Sequence, residues 1–169
     1  MEALGLLRIR VRRGINLAVR DIRSSDSYVV VKCGSQRVKT KVMEDNCNPL
    51  WNEELTIYIM DLIVPIILCV YDEDTFTKDD KMGDAEIDIK PYVKCLKKKG
   101  YEGVSDGTKV EKVEPSSDNC LARESFIVCN KGKLIQEMTL RLKNVECGEV
   151  EVEIEWINLP GVKGLHEID

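Results

Sequence analysis

The sequence predicts an all-β protein, an eight-stranded antiparallel β-sandwich with one short helix and an inserted segment. Apolar residues alternate with polar ones at period two through most of the chain, the pattern of strands with one buried face. Turn-rich segments break this alternation into short runs. Only Pro91 to Lys99 reads as a helix, with proline in its first turn and Gly100 beyond its end.

The strands follow in order. Leu7, Ile9 and Val11 alternate with Arg8, Arg10 and Arg12, giving a strand with a basic outer face. Val29 to Cys33 is a denser apolar strand, and Gln36 to Val42 alternates again with Arg37, Lys39 and Lys41 on one face. Leu55, Ile57 and Ile59 follow Trp51; Ile66 to Tyr71 is a buried strand; Ala85, Ile87 and Ile89 form a sixth. Met138, Leu140 and Leu142 form the seventh. The last strand sets Val150, Val152, Ile154 and Trp156 on one face and Glu149, Glu151, Glu153 and Glu155 on the other. An arginine row on the first strand and a glutamate row on the last predict that the two lie side by side. The segment from Gly100 to Leu121 interrupts the rhythm and reads as an insertion; Ser125 to Gln136 reads as a hairpin turning at Asn130-Lys131-Gly132.

Length and composition fit one domain spanning 1–169, with residues 91–137 as an inserted helix, loop and hairpin. Hydrophobic residues make up 43% and charged residues 33%, so a folded core is expected rather than disorder. The net charge of -5 argues against general nucleic-acid binding. The opening MEALGLLRIRVRRG has no signal-peptide pattern, and no myristoylation, prenylation or membrane-spanning signature is present. Membrane contact is therefore expected to be peripheral. Seven cysteines without a CxxC pair are expected to be reduced thiols.

Two acidic loops carry the chemistry. RDIRSSDSY holds Asp21 and Asp26, and YDEDTFTKDD holds Asp72, Asp74, Asp79 and Asp80. Each follows a strand, so both should lie at ends of the sandwich. Calcium is a hard cation that takes roughly 6–8 oxygen ligands, several of them carboxylates. These aspartates could supply them, with the backbone carbonyls of Arg20 and Glu73. Loops favour aspartate in any case, which accounts for one pair but not for five that converge. An EF-hand is excluded, because counting from Asp72 places Phe76 at a ligand position and Gly83 where a glutamate is required.

The stretch SSDSYVVVK, then NPLWNEEL, then YDEDTFTKDDKMGDAEIDI resembles a C2 domain over roughly the first 90 residues. The resemblance implies calcium ligation by Asp21, Asp26, Asp72, Asp74 and Asp80, with Asp79 as a neighbour that supports them. It also implies the second of the two C2 strand permutations (type II), because the first strand feeds the first calcium loop. Ser27 departs from the pattern by replacing the proline usual after the second aspartate, and the first loop is a residue shorter than in many relatives. The tail LRLKNVECGEVEVEIEWINLPGVKG and the insertion with NCLARES are similar to the small plant C2-domain abscisic-acid-related proteins. That resemblance implies calcium-dependent phospholipid binding and recruitment of abscisic acid receptors to the plasma membrane by a protein also found in cytoplasm and nucleus. Some relatives are described as activators of a GTPase.

In C2 domains the strands holding Lys32, Arg37, Lys39 and Lys41 form a lysine-rich groove for phosphoinositide headgroups, with Tyr28 and Tyr71 at matching aromatic positions. A solvated basic face is the plainer reading of such a row. Phe76, beside Lys78 at the tip of the second acidic loop, would contribute about 1.5–3 kcal/mol if inserted into lipid; the alternative is a ring folded back on the sandwich. No enzyme is expected: the sole histidine, His166, lies near the tail, and no nucleophile elbow, P-loop or zinc spacing occurs. Two other readings are a calcium-independent interaction scaffold and a GTPase regulator. The expected partner surface includes the insertion, near Tyr101 to Leu121, with the lipid-facing end as a second candidate.

Overall fold

Period-two alternation turns one face of each strand inward, and in the computed structural model those faces meet as one core. The structure describes residues 2–20, 25–98, 100–101, 103–162 and 164–167. In chain order come β1 (Gly5–Ile15), β2 (Ser27–Cys33), β3 (Gln36–Lys39), β4 (Leu50–Ile59), β5 (Ile66–Asp72) and β6 (Asp80–Glu86). Then follow α1 (Lys90–Lys97), β7 (Thr108–Val113), β8 (Ser125–Asn130), β9 (Lys133–Arg141) and β10 (Glu149–Ile157). One sheet runs β4-β1-β10-β9-β8-β7 and the other β3-β2-β5-β6, with every pairing antiparallel. Leu7, Ile9, Val29, Val31, Ile57, Leu68, Val70, Val152 and Ile154 are all buried in the core between them. All seven cysteines are free thiols, five of them buried.

The arginine and glutamate rows do lie side by side. β1 pairs with β10 with Arg8 opposite Glu155 and Arg10 opposite Glu153. A bulge at Arg12 brings Arg12 and Arg13 both to the outer face, where they meet Glu153 at 2.8 Å and Glu151 at 2.5 Å. On the other flank Glu54 of β4 takes Arg10 and Arg8. Exposed cross-strand pairs contribute about 0.2–1 kcal/mol each, so they fix register more than they add stability.

The described residues contain ten strands, two more than the eight expected. β8 is the first arm of the expected hairpin, whose turn places Lys131 and Gly132 at φ of 53° and 76°, the geometry of a tight two-residue turn. β7 has no sequence signal. Its side chains are exposed or half-buried throughout; of them only Val110 and Val113 pack against the core, too few to mark an apolar face, and backbone pairing to β8 completes the strand. β3 ends at Lys39 rather than Val42, because the Thr40 hydroxyl takes the Val29 N–H at 3.0 Å. β6 covers Asp80–Glu86 rather than Ala85 to Ile89. Its acidic start pairs with the end of β5, and Gly83, at φ 106°, forms a bulge that hides the alternation. A side chain at Gly83 would strike Val145 and Leu142.

The helix forms where Pro91 pre-sets its first turn. It is tied down by Tyr92, which is fully buried. The Tyr92 hydroxyl donates to the Leu134 carbonyl at 2.6 Å and accepts the Trp156 N–H at 2.8 Å. The phenol thus replaces the next rung between β9 and β10, whose direct pairing stops at Glu155 and Ile135. Tyr92→Phe strands both groups in the core, and chemical denaturation should show a loss of about 1–3 kcal/mol with calcium removed.

Candidate metal centre and basic face

The last pair of the β2–β5 ladder is Ser27 opposite Asp72. Both acidic loops therefore leave the sheet side by side. The Asp72 carboxylate is fully buried, and its Oδ1 accepts the Asp26 N–H at 2.7 Å. Glu73 N–H donates to the Asp26 carbonyl at 2.8 Å, zipping the loop bases together. One carboxylate oxygen from each of Asp72, Asp74 and Asp80 lies within 4.8 Å of the others. Asp74 is half-buried and Asp80 exposed, so the cluster runs from the interior to the surface. Three hard oxygen donors with no nitrogen or sulfur among them fit calcium rather than zinc or copper.

The other expected ligands are placed less directly. Asp21 lies outside the described residues. Arg20, which precedes it, is held by its N–H on the Ser25 hydroxyl at 3.0 Å, and that hydroxyl donates to the Ala18 carbonyl at 2.7 Å. The Arg20 guanidinium pairs with Glu146 and holds its carboxyl down at about 2. Asp26 stands beside the cluster, its Oδ1 accepting the Asp45 N–H at 2.7 Å. Asp79 supports its neighbours: Oδ1 accepts the Asp74 N–H at 2.9 Å and Oδ2 accepts the Tyr28 hydroxyl at 2.5 Å. The Tyr28 bond, then the Asp74 amide, hold Asp79 below the ordinary carboxylate range. Burial, then the same bond, pushes the Tyr28 phenol up to about 12.

Sequence reasoning misses a further loop, residues 40–49. It supplies the Asp45 amide to Asp26 and pairs Met43 with Ser27 through two backbone bonds of 2.8 and 3.1 Å. One of these uses the Ser27 N–H, a donor that proline lacks. The departure at position 27 therefore ties this loop to the first. Trp51 adds its indole N–H to the Ser27 carbonyl at 3.1 Å. The signal that marks the loop is MEDNCNP, acidic and turn-rich between two strands.

The basic residues gather on the outer face of the smaller sheet. Lys32 pairs across from Arg37, and Val30 from Lys39. Tyr28 and Tyr71 stack with ring centres 5.6 Å apart. Lys39 Nζ sits 5.9 Å above the Tyr28 ring, while Lys32 Nζ sits above Tyr71 and donates to its hydroxyl at 3.1 Å. Among the described residues Lys32, Arg37 and Lys39 make no ion pair. Lys41 lies just past β3, its backbone N–H on Glu53. Lys81, absent from the basic row expected from sequence, faces Tyr71 but is paired to Asp84 at 2.9 Å. At the tip, Phe76 is 96% exposed rather than folded back, and Lys78 is exposed beside it.

Comparison with known proteins gives this arrangement a family. The model of the C2 domain matches residues 5–105. Protein C2-DOMAIN ABA-RELATED 4 of Arabidopsis thaliana is 56% identical, over 97% of this chain and 92% of its own. Protein C2-DOMAIN ABA-RELATED 5 of the same plant is 58% identical, over 96% and 80%. GTPase activating protein 1 of Oryza sativa subsp. japonica is 54% identical, over 96% and 97%. Among solved structures, the calcium-bound pair of C2 domains of Extended-Synaptotagmin 2 superposes with a TM-score of 0.65 at 20% identity, over 94% of this chain and 47% of that one. A C2 domain of plant Extended Synaptotagmin 1 gives 0.60 at 18% identity, over 94% and 98%. Those two likenesses concern the fold. The chain is a member of the C2 domain family and, within it, of the C2-domain ABA-related proteins.

Proposed function

We propose that this protein is a calcium-dependent, phospholipid-binding adaptor that brings soluble partners to the plasma membrane and is not itself an enzyme. The observation that carries the reading is the carboxylate cluster of Asp72, Asp74 and Asp80 at the same tip as the fully exposed Phe76. Asp21 and Asp26, with the carbonyls of Arg20 and Glu73, complete the proposed ligand set. Bound calcium would neutralise the tip and offer coordination positions to lipid phosphate oxygens. The chain's own residues do the rest. Tyr28, Tyr71, Lys32, Arg37, Lys39 and Lys41 offer an anionic headgroup a basic face, Phe76 enters the acyl boundary, and Lys78 meets the headgroup layer. Near an anionic surface each basic residue adds about 1 kcal/mol at best. The basic face alone is therefore a weak anchor, and calcium and lipid charge must act together. In their absence the protein would distribute between cytoplasm and nucleus.

The ABA-related names of the Arabidopsis relatives favour abscisic acid receptors as the recruited partners, and the inserted segment between Tyr101 and Leu121 is the surface assigned to them in this reading. A second reading, activation of a GTPase, rests on the name of the rice relative. Stimulation of GTP turnover by the purified protein would favour it.

Cosedimentation with phosphatidylserine vesicles tests the main reading. Wild type should sediment with calcium and stay in solution with chelator, and Asp72→Ala/Asp74→Ala should stay in solution in both. Binding indifferent to calcium and to these substitutions would move the function to the basic face or to a scaffold role. Phe76→Ala should keep calcium binding while weakening vesicle affinity by about 1.5–3 kcal/mol, read from a lipid titration. Lys32→Ala/Lys39→Ala should lose about 1–2 kcal/mol on vesicles containing phosphatidylinositol bisphosphate, read from the same lipid titration.

A further inference from the structure

Three carboxylates gathered within 4.8 Å repel one another before any cation arrives, so something must hold their loop closed. The β5–β6 loop, residues 73–79, carries one such tie. Asp79 bonds the Asp74 N–H with one oxygen and the Tyr28 hydroxyl with the other. Tyr28, the last residue of RDIRSSDSY, lies on β2 and is 8% exposed. Its ring is fixed by stacking on Tyr71 and by Lys39 above it. The hydroxyl is thus a rigid post on the sheet, and Asp79 is the strap that runs from it to the backbone of a ligand-bearing residue.

We propose that Tyr28 is a positioning residue for the metal centre: through Asp79 it clamps the β5–β6 loop and presets Asp74 for the cation. This rests on the calcium reading above. Removing the hydroxyl leaves the ring, its stack and the fold in place. It frees Asp79, lets the turn from Asp74 to Asp79 open, and makes calcium gather ligands that wild type holds ready.

The test is calcium titration calorimetry on the full chain after chelation, with wild type, Tyr28→Phe, Asp79→Ala and the double variant. Tyr28→Phe should bind calcium about tenfold more weakly, the effect of one charge-assisted hydrogen bond. Its melting temperature in chelator should stay close to that of wild type. In calcium-free protein, hydrogen exchange at the Asp74 amide should be faster in Tyr28→Phe. The double variant should bind no more weakly than Asp79→Ala, because the hydroxyl acts only through Asp79. Equal calcium affinity of Tyr28→Phe and wild type, or a further tenfold loss on the Asp79→Ala background, would overturn the clamp. If Asp72→Ala/Asp74→Ala abolishes calcium binding while Tyr28→Phe leaves it intact, the clamp fails and the calcium reading stands. A wild-type protein that binds no calcium overturns both.

Discussion

The fold depends on a ladder that ends where its charge begins. β2 and β5 run together to Ser27 opposite Asp72, and β5 pairs with β6 to set Asp72 opposite Asp80. Pairing through the sheet therefore forces carboxylates together that would separate in water. Two unit charges at such distances repel by about 3–4 kcal/mol at an effective dielectric constant near 20. Fully burying one aliphatic side chain contributes about 1.5–3 kcal/mol, and the core between the sheets holds many of them. The sandwich can thus carry an electrostatically unfavourable tip, whose repulsion a bound divalent cation would lower.

The two outer faces of the sandwich differ in how their charge is used. On the larger sheet the arginines of β1 lie between the glutamates of β10 and Glu54 of β4, and each is matched locally. On the smaller sheet Lys32 and Lys39 lie over aromatic rings, with Arg37 across from Lys32. A face that is already neutralised has little to offer an anion, so the smaller sheet is the one suited to a headgroup. Counting basic residues along the chain would have favoured β1, the richest row of all. The glutamate row of β10, opposite it in register, removes β1 from that role.

The strands with one buried face were legible in the sequence because period two survives wherever one side meets the core. β1 and β10 even announced their pairing through opposite charges. β7 was not legible, since none of its side chains is fully buried and only Val110 and Val113 of the strand touch the core. The shift of β6 was hidden by Gly83, whose bulge breaks the alternation. The aspartates of the β5–β6 loop were visible because their spacing is local. The role of Asp79 was visible only as proximity; nothing in the residue order shows that its oxygens divide between the Asp74 amide and Tyr28, 51 residues away. The contribution of residues 40–49 was hidden for the same reason, because it acts through backbone amides that almost any sequence possesses.

The ends of the molecule are also assigned by topology. Ile15, at the end of β1, lies beside Glu149, and the acidic loops follow that end. Leu7 lies beside Trp156 near the other end, where Tyr92 anchors α1 and the β8–β9 hairpin turns. The helix and the hairpin turn therefore stand at the end remote from the carboxylates. The inserted segment runs between the two ends: β7 starts opposite Cys129 at the hairpin end, and Leu121 bridges Leu140, beside the Arg141–Glu149 pair at the acidic end. At the hairpin end the Tyr92 hydroxyl takes the place of a missing rung between β9 and β10, bonding the Leu134 carbonyl and the Trp156 N–H, and so holds the helix beside the hairpin.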